Sequence, residues 1–354
     1  VIESHRRHHN KYEHYSQQNR PQQWREYPTQ QQRHGGRPVR DGRGASVESP
    51  EAQHQQQVQQ ARAMVAAPAS GELRTVKGRV YYDPAQDQAN RDRYYGSIIS
   101  DAMAGKFTPA ALYSKLNELS NSKHTTHLGY DPAENLYPWV DLHPDGQLKS
   151  IYSGKAFDPE TVIARDRAKL TEHQQRQWPE FALRTPLSAE GLAARVALQS
   201  GEFNCEHVVP QSWFHRNPTM RGDLHHLFAC EPELNSERGS LPYMPMPAGA
   251  DPKGEGRLNE SKSAYWPGGG GMGPAARAFL YFLVTYPGQI GDEMREMHAD
   301  SLPMLLQWNR ENPPTEWEKH RNAEIEKMQG NRNPFIDFPE LADKVDFTMG
   351  FGRP

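Results

Sequence analysis

The sequence predicts an α+β chain, mainly helical, built around a short strand–strand–helix unit near its middle. Three observations predict it. Apolar residues recur at helical spacing over several long segments on both flanks. Between them, residues 203–240 hold two short runs of strand-forming residues, followed by a segment that starts at a proline and stops at a glycine. Finally, 354 residues are ample for a sizeable core, even with a long polar terminus set aside.

That terminus comes first. Residues 1–70 are rich in Gln, His, Arg and Gly and poor in Leu, Ile and Phe. A stretch such as QQWREYPTQQQRHGGRPVRDGRG buries too little apolar surface to offset the entropy of folding. The expectation is a disordered tail with one short helix around QHQQQVQQARAMV, then a folded domain over 72–343 and a short tail over 344–354. The first tail carries ten Lys or Arg against six Asp or Glu, an excess that suits solubility more than phosphate binding. The whole chain has a formal net charge of -3 with neutral histidines. That argues against an architectural DNA binder but not against a catalyst, which needs only a local basic groove. No run of 18 apolar residues offers a membrane span. No signal peptide is visible, and the chain opens on Val, as a processed or trimmed end would.

The folded part begins with RDRYYGSIISDAMAG, read as one helix ending at Gly105. FTPAALYSKLNELSNS gives a second, with Ala110, Leu112, Leu116 and Leu119 on one face, Thr108 as cap and Pro109 in the first turn. A turn at Pro144–Gly146 leads to a strand over Leu148–Tyr152. Residues 157–200 hold two helical segments, the second ending at Gly201. In the central unit the first strand spans Phe203–Val209 and breaks at Pro210. The second lies near His225–Phe228, and a helix runs from Pro232 to just before Gly239. Residues 244–273 are rich in Pro and Gly and read as a long flexible surface loop. PAARAFLYFLVTYPG is apolar but too short to span a membrane, hence a buried core helix. Two more helices follow, in SLPMLLQWNRENPP and PTEWEKHRNAEIEKMQG, and NRNPFIDFPEL closes the domain as an extended segment. Trp139, Tyr152, Trp213 and Trp308 read as core rather than as platforms for bases.

Chemically capable side chains are densest over 204–238. Asn204, Glu206, His207, His215, Arg216, Arg221, Asp223, His225, His226, Asn235 and Arg238 all lie there. Phosphodiester hydrolysis needs a base to activate water, a cation against the developing charge and a positive group to hold the phosphate. Histidine suits the first role, because its ordinary pKa lies near 6.5. Carboxylate and amide oxygens suit a hard cation. Glu206 and His207 are adjacent, so a regular strand would send them to opposite faces unless it is bent or ends there. His207, His225, His226 and Cys230 also raise a zinc reading, but the paired ligand spacings of zinc sites are missing. Arg238 could orient a phosphate, although a structural role suits it slightly better. Cys205 and Cys230 are too few for a disulfide scaffold. They fit either one bridge or two small buried residues.

The run NCEHVVPQSWF, followed by RGDLHHLFACEPELNSERG, resembles the core of the bacterial endonuclease I family, which includes periplasmic and secreted nucleases of Gram-negative bacteria. The resemblance extends to LYPWVDLHPDGQLKSIYSG before it, and after it to ARAFLYFLVTY and LLQWNRENPPTEWEKHRNAEIEKMQGNRNPFIDFPE. It covers about 75–340. It implies a mainly helical domain around a ββα-metal, or His-Me finger, core. Within that core Glu206 would bind Mg2+ (Mn2+ as an alternative), and Asn235, in its N-x-x-R-G context, would be the second protein ligand. His207 would be the general base. The substrates would be DNA and RNA, cut without marked sequence preference to leave 5′-phosphate ends by a secreted or periplasmic monomer. A phosphate-binding arginine is also implied. The segment that carries it is shorter here, so Arg216 and Arg221 are both candidates. Asp223, His225 and Arg238 would lend support or phosphate contacts. The chain departs from the family in having His226 where Asn is frequent, and in lacking the several disulfides of many periplasmic members. Two other readings stand beside this one: a sequence-preferring HNH-type nuclease, for which no recognition module is evident, and an inert binding protein of the same fold.

Overall fold

The computed structural model describes residues 73–176 and 204–352. The N-terminal tail with its short helix, and the helix expected to end at Gly201, lie outside the described residues. Within them the chain is α+β, with many helices and small antiparallel strand pairs. β1 (Thr75–Val76) pairs with β2 (Arg79–Val80).

The helix expected to reach Gly105 is two helices, α1 (Pro84–Tyr95) and α2 (Ile98–Met103). Asp83 starts the first by accepting from the Ala85 and Gln86 amides at 3.0 Å. Gly96, at φ 53°, ends it in a left-handed conformation that glycine adopts without a Cβ clash. In α3 (Pro109–Lys123) Thr108 caps the Ala111 amide as expected. Its buried face is Leu112, Tyr113, Leu116 and Ser120, displaced slightly from the expected stripe. After the short α4 (Pro132–Asn135), the expected five-residue strand shrinks to β3 (Leu148–Lys149), paired with β4 (Ala156–Phe157). The helix α5 (Pro159–Arg176) follows.

The central unit is β5 (Asn204–His207), α6 (Pro218–Arg221), β6 (Leu227–Cys230) and α7 (Pro232–Arg238). One element corrects the sequence reading. His225 and His226 lie not on a strand but in a 3-10 turn, Leu224–His226, nucleated when the Asp223 carboxylate accepts from the His225 amide at 3.0 Å. Only from Leu227 does the chain extend and pair, with His207 opposite Leu227 and Asn204 opposite Cys230.

The Pro/Gly-rich stretch is also more ordered than its composition predicts. It holds the pair β7 (Arg257–Leu258) and β8 (Tyr265–Trp266), with Tyr265 and Trp266 buried. A Cβ on Gly269 would lie 1.7 Å from the Pro252 carbonyl oxygen, so its glycine serves close backbone packing. The helix α8 (Met272–Thr285) is buried from Gly273 onward, as its all-round apolar sequence requires. Next come α9 (Leu302–Glu311) and α10 (Glu316–Gln329), the latter opened by a Thr315–Glu318 capping box. NRNPFIDFPEL is helical rather than extended. It forms α11 (Pro334–Asp337), capped by Asn333, and a 3-10 turn over Pro339–Lys344. Packing continues past 343, where Val345 and Phe347 are buried and the Gly352 amide donates to Ile290 O at 2.7 Å, so these residues belong with the fold rather than with a tail.

The β5–β6 hairpin separates two apolar cores. Cys205, Leu227 and Ala229 join one with Leu136, Tyr137 and Ile325. Val208, Phe228 and Cys230 join the other with Phe279, Phe282 and Trp308. Side chains alternate across a strand, and the register puts Cys205 opposite Ala229 and Cys230 opposite Asn204. The two cysteines therefore enter different cores. Neither is in a disulfide, and the bridge is ruled out by that alternation.

Candidate functional site

Among the described residues the strand β5 has β6 on one edge only, and α7 lies along the other. The Asn235 amide Nδ2–H donates to Cys205 O at 3.1 Å. Arg238 donates from Nη1 to His207 O at 3.0 Å and from Nη2 to Val208 O at 2.7 Å. Asn235 and Arg238 are three residues apart and share one face of the helix. The helix thus satisfies backbone carbonyls that an open strand edge would leave unpaired.

This arrangement answers the problem of adjacent Glu206 and His207. Their side chains do diverge, Glu206 toward Tyr152 and Tyr243, His207 toward Tyr130 and His226. Both still line one cleft of about 500 Å³, together with Asn235 and Arg238, the two side chains that reach the carbonyls of β5 from α7. Asn235, Arg216, Arg221, Arg238 and Gln211 complete its wall.

Glu206 is 2% exposed. Burial pushes its carboxyl up to about 7, against the opposing pull of the Arg238 guanidinium and the Tyr152 hydroxyl. One oxygen, Oε1, accepts from Tyr152 at 2.7 Å and lies 3.0 Å from Arg238 Nη1. Asn235 spends its N–H on Cys205 O, which fixes the amide orientation and leaves its oxygen as the free group. A carboxylate and an amide oxygen form a donor set suited to a hard divalent cation.

The His207 ring is held on both sides. Nε2 lies 3.0 Å from Arg221 O, and a carbonyl only accepts, so Nε2 carries the proton. Nδ1 keeps its lone pair and accepts from the Gln211 amide at 3.2 Å. Burial, with His226 nearby, holds the imidazole well below the usual histidine range, so the titration near 6.5 expected from its type is displaced downward and the ring is neutral at pH 7.

Two arginines face the cleft without an acidic partner among the described residues. Arg221 lies 4.5 Å over the Tyr130 ring, and its buried Nε has no hydrogen-bond partner. Arg216 is exposed and, like His215, sits at positive φ (55° and 54°). The left-handed backbone costs a residue with a Cβ about 1–2 kcal/mol. It is stabilised here where the Arg216 amide donates to Gln211 O at 2.8 Å. Arg238 is buried and committed to Glu206 and the backbone carbonyls, which gives it a supporting place.

Asp223, His225 and His226 do not line the cleft. Asp223 accepts from the Tyr281 and Tyr286 hydroxyls at 2.7 and 2.9 Å and from Gln329 Nε2 at 2.9 Å. His225 donates from Nε2 to Asn331 O at 3.3 Å, and His226 to Met220 O at 2.7 Å. These groups brace the 3-10 turn. Among the described residues no three His, Cys, Asp or Glu side chains gather as a metal-binding group, so the zinc reading has no support.

The structure also brings in residues that sequence reasoning missed. Tyr130 and Gln211 carried no signal. Tyr152 is buried as expected, yet its hydroxyl reaches Glu206.

Residues 111–340 match the family model described as Endonuclease I. Over 195 residues the chain is 31% identical to an extracellular deoxyribonuclease of Aeromonas hydrophila, covering 53% of this chain and 78% of that protein. Over 161 residues it is 35% identical to an extracellular ribonuclease of Bacillus amyloliquefaciens, covering 41% of this chain and 54% of the relative. A periplasmic deoxyribonuclease of Aeromonas hydrophila is 30% identical over 121 residues, 33% of this chain and 48% of its own length. The chain spans about half the length of the Bacillus ribonucleases it matches. By the extent of the family match and the coverage of the Aeromonas relative, the chain belongs to the endonuclease I family.

Proposed function

We propose that the protein is a metal-dependent endonuclease that hydrolyses phosphodiester bonds in DNA and RNA without marked sequence specificity. The observation that carries this reading is the convergence of Glu206, His207 and Asn235 on one open polar cleft with Arg216 and Arg221, which have no acidic partner among the described residues. Relatives described as deoxyribonucleases and as ribonucleases support both substrate classes. Their extracellular and periplasmic descriptions support action outside the cytoplasm. Among the described residues no helix is long and apolar enough to cross a membrane.

The ββα-metal reading assigns the cation, Mg2+ or Mn2+, to Glu206 and Asn235. When bound, such a cation supplies positive charge against the phosphate and the leaving oxygen. His207 acts through Nδ1, the nitrogen that carries the lone pair. It takes a proton from water as the water oxygen bonds to phosphorus and the bond from phosphorus to the 3′ oxygen breaks, the 3′ oxygen leaving with the bonding pair and taking a proton from solvent to become a 3′-hydroxyl. A 5′-phosphate end remains. Gln211 must release Nδ1 for this step, since one lone pair cannot accept two hydrogen bonds. The Arg221 carbonyl keeps the ring in register and stabilises the imidazolium through Nε2–H. The Arg221 and Arg216 guanidinium groups hold the phosphate.

The test is cleavage of plasmid DNA and of RNA before and after chelation, with His207→Ala alongside. Activity that disappears with EDTA, returns with Mg2+ and is lost in His207→Ala is the expected result. Full cleavage after exhaustive chelation would refute metal dependence, and no cleavage of either substrate would refute the nuclease reading.

A further inference from the structure

The two oxygens of Glu206 are treated differently. Oε1 receives the Tyr152 hydroxyl at 2.7 Å and Arg238 Nη1 at 3.0 Å, whereas no hydrogen bond or ion pair among the described residues reaches Oε2. The Tyr152 hydroxyl lies 2.8 Å from that of Tyr243. In the ionised form that a cation ligand takes, the Glu206 carboxylate only accepts, so the single Tyr152 proton points to Glu206 and Tyr243 donates to Tyr152. The direction of the chain of bonds is thereby fixed, from Tyr243 through Tyr152 to Glu206. Its members are buried, and the Tyr243 ring packs edge-on to Trp308 of α9, 6.1 Å between centroids. One carboxylate oxygen is tied to the apolar core and the other is left for the cleft.

We propose that Tyr152 and Tyr243 are positioning residues that hold Glu206 by Oε1 so that Oε2 is presented to the divalent cation. This rests on the reading of Glu206 as a cation ligand. A free glutamate would lose side-chain entropy on ligation, and one already held by a neighbour loses less. A hydroxyl that merely satisfies the core would affect stability and leave cation affinity unchanged. Cation affinity therefore separates the two roles.

The experiment is Mn2+ binding to the full chain by titration calorimetry, with melting temperatures, for the parent, Tyr152→Phe, Tyr243→Phe and Glu206→Gln. Each Tyr→Phe change removes one oxygen and keeps the ring. Groups that orient metal ligands typically contribute about 10–100-fold to affinity, so Tyr152→Phe should weaken Mn2+ binding by about tenfold and Tyr243→Phe by less. The Mn2+ needed for half-maximal cleavage should rise in step, with the rate at saturating Mn2+ near that of the parent. Folded Tyr→Phe variants that bind Mn2+ like the parent, while Glu206→Gln does not, would overturn the positioning role alone. Unchanged binding by Glu206→Gln would overturn the ligand reading beneath it. If Tyr152→Phe fails to fold, Tyr243→Phe, which keeps the Tyr152 ring and hydroxyl, decides the matter.

Discussion

Two acid–histidine pairs lie close together in this chain, Glu206 with His207 and Asp223 with His225, and the fold treats them in opposite ways. The Asp223 carboxylate is saturated by Tyr281, Tyr286, Gln329 and the His225 amide. Burial alone would raise it, but His225, His124 and His226 together with the Gln329 amide hold it at about 2. Glu206 is as deeply buried, yet burial wins there and its carboxyl rises to about 7. The difference is the set of groups facing each acid, three histidines and the Gln329 amide around Asp223 against Arg238 and Tyr152 at Glu206. A carboxylate fully used by the protein braces the fold. One with an oxygen left over at a cleft is available to an outside cation. Sequence spacing does not distinguish the two pairs, whereas their partners do.

The largest contrast should appear in stability. Asp223→Ala strands several buried donors, each costing about 1–3 kcal/mol, so a loss of about 3 kcal/mol or more is expected in urea unfolding. Glu206→Gln keeps its shape and an acceptor for Tyr152, and Arg238 loses its counter-charge but retains its carbonyl partners, so its loss should be the smaller of the two. Equal losses would erase the distinction.

The pH dependence sharpens it. Asp223, at about 2 when folded and 3.8 ordinarily, contributes stability that is complete above the ordinary value and disappears as pH falls toward 2. By linkage that contribution is about 2 kcal/mol. Burial lowers His225 to about 4, with Asp223 partly opposing, so the unfolded chain binds this proton first and stability declines as pH falls from 6.5 to about 4. The urea midpoint should therefore fall steadily below pH 6.5, with the steepest acid limb missing in Asp223→Asn. A flat profile down to pH 3 would contradict the assignment.

The thiols separate the two faces of the hairpin at lower cost. Cys205 and Cys230 should both be unbridged by mass spectrometry and react with a thiol reagent only after unfolding, since burial pushes both thiols well above their usual range. A bridged mass would refute the register of β5 and β6. The smallest effect is expected from removing residues 1–70, because the described cleft-lining residues lie between Tyr130 and Ser240. The shortened chain should cleave a short oligonucleotide at the parent rate, and a large loss would place the tail in the site.

The parts legible in the sequence are those set by local chemistry. Thr108 and Pro109 announced α3, and Pro232 and Gly239 bounded α7. Glu206, His207 and Asn235 were singled out by the resemblance of the runs around them to a nuclease family, and the structure brings the three to one cleft. Contacts between distant segments were hidden. His225–Phe228 has the composition of a strand, and the Asp223 side chain turns its first two residues, His225 and His226, into a 3-10 turn. Residues 268–271 have the composition of a flexible linker, and backbone packing against Pro252 explains the glycine at 269. Tyr152 read as core because nothing local says that a hydroxyl 54 positions before Glu206 will meet its carboxylate.

The central claim is that the adjacent pair divides its labour, with Glu206 holding the cation and His207 moving the proton. Mg2+ titration of the cleavage rate for Glu206→Ala, Asn235→Ala and His207→Ala, with cation affinity measured separately by calorimetry, tests it most directly. A positioned general base contributes about 10²–10⁴-fold, so His207→Ala should lose that much turnover at every Mg2+ concentration and bind the cation like the parent. Glu206→Ala should bind the cation weakly and recover part of its rate at high Mg2+, with Asn235→Ala a milder version. Loss of cation binding in His207→Ala, with retention in Glu206→Ala, would contradict the account and make His207 the ligand.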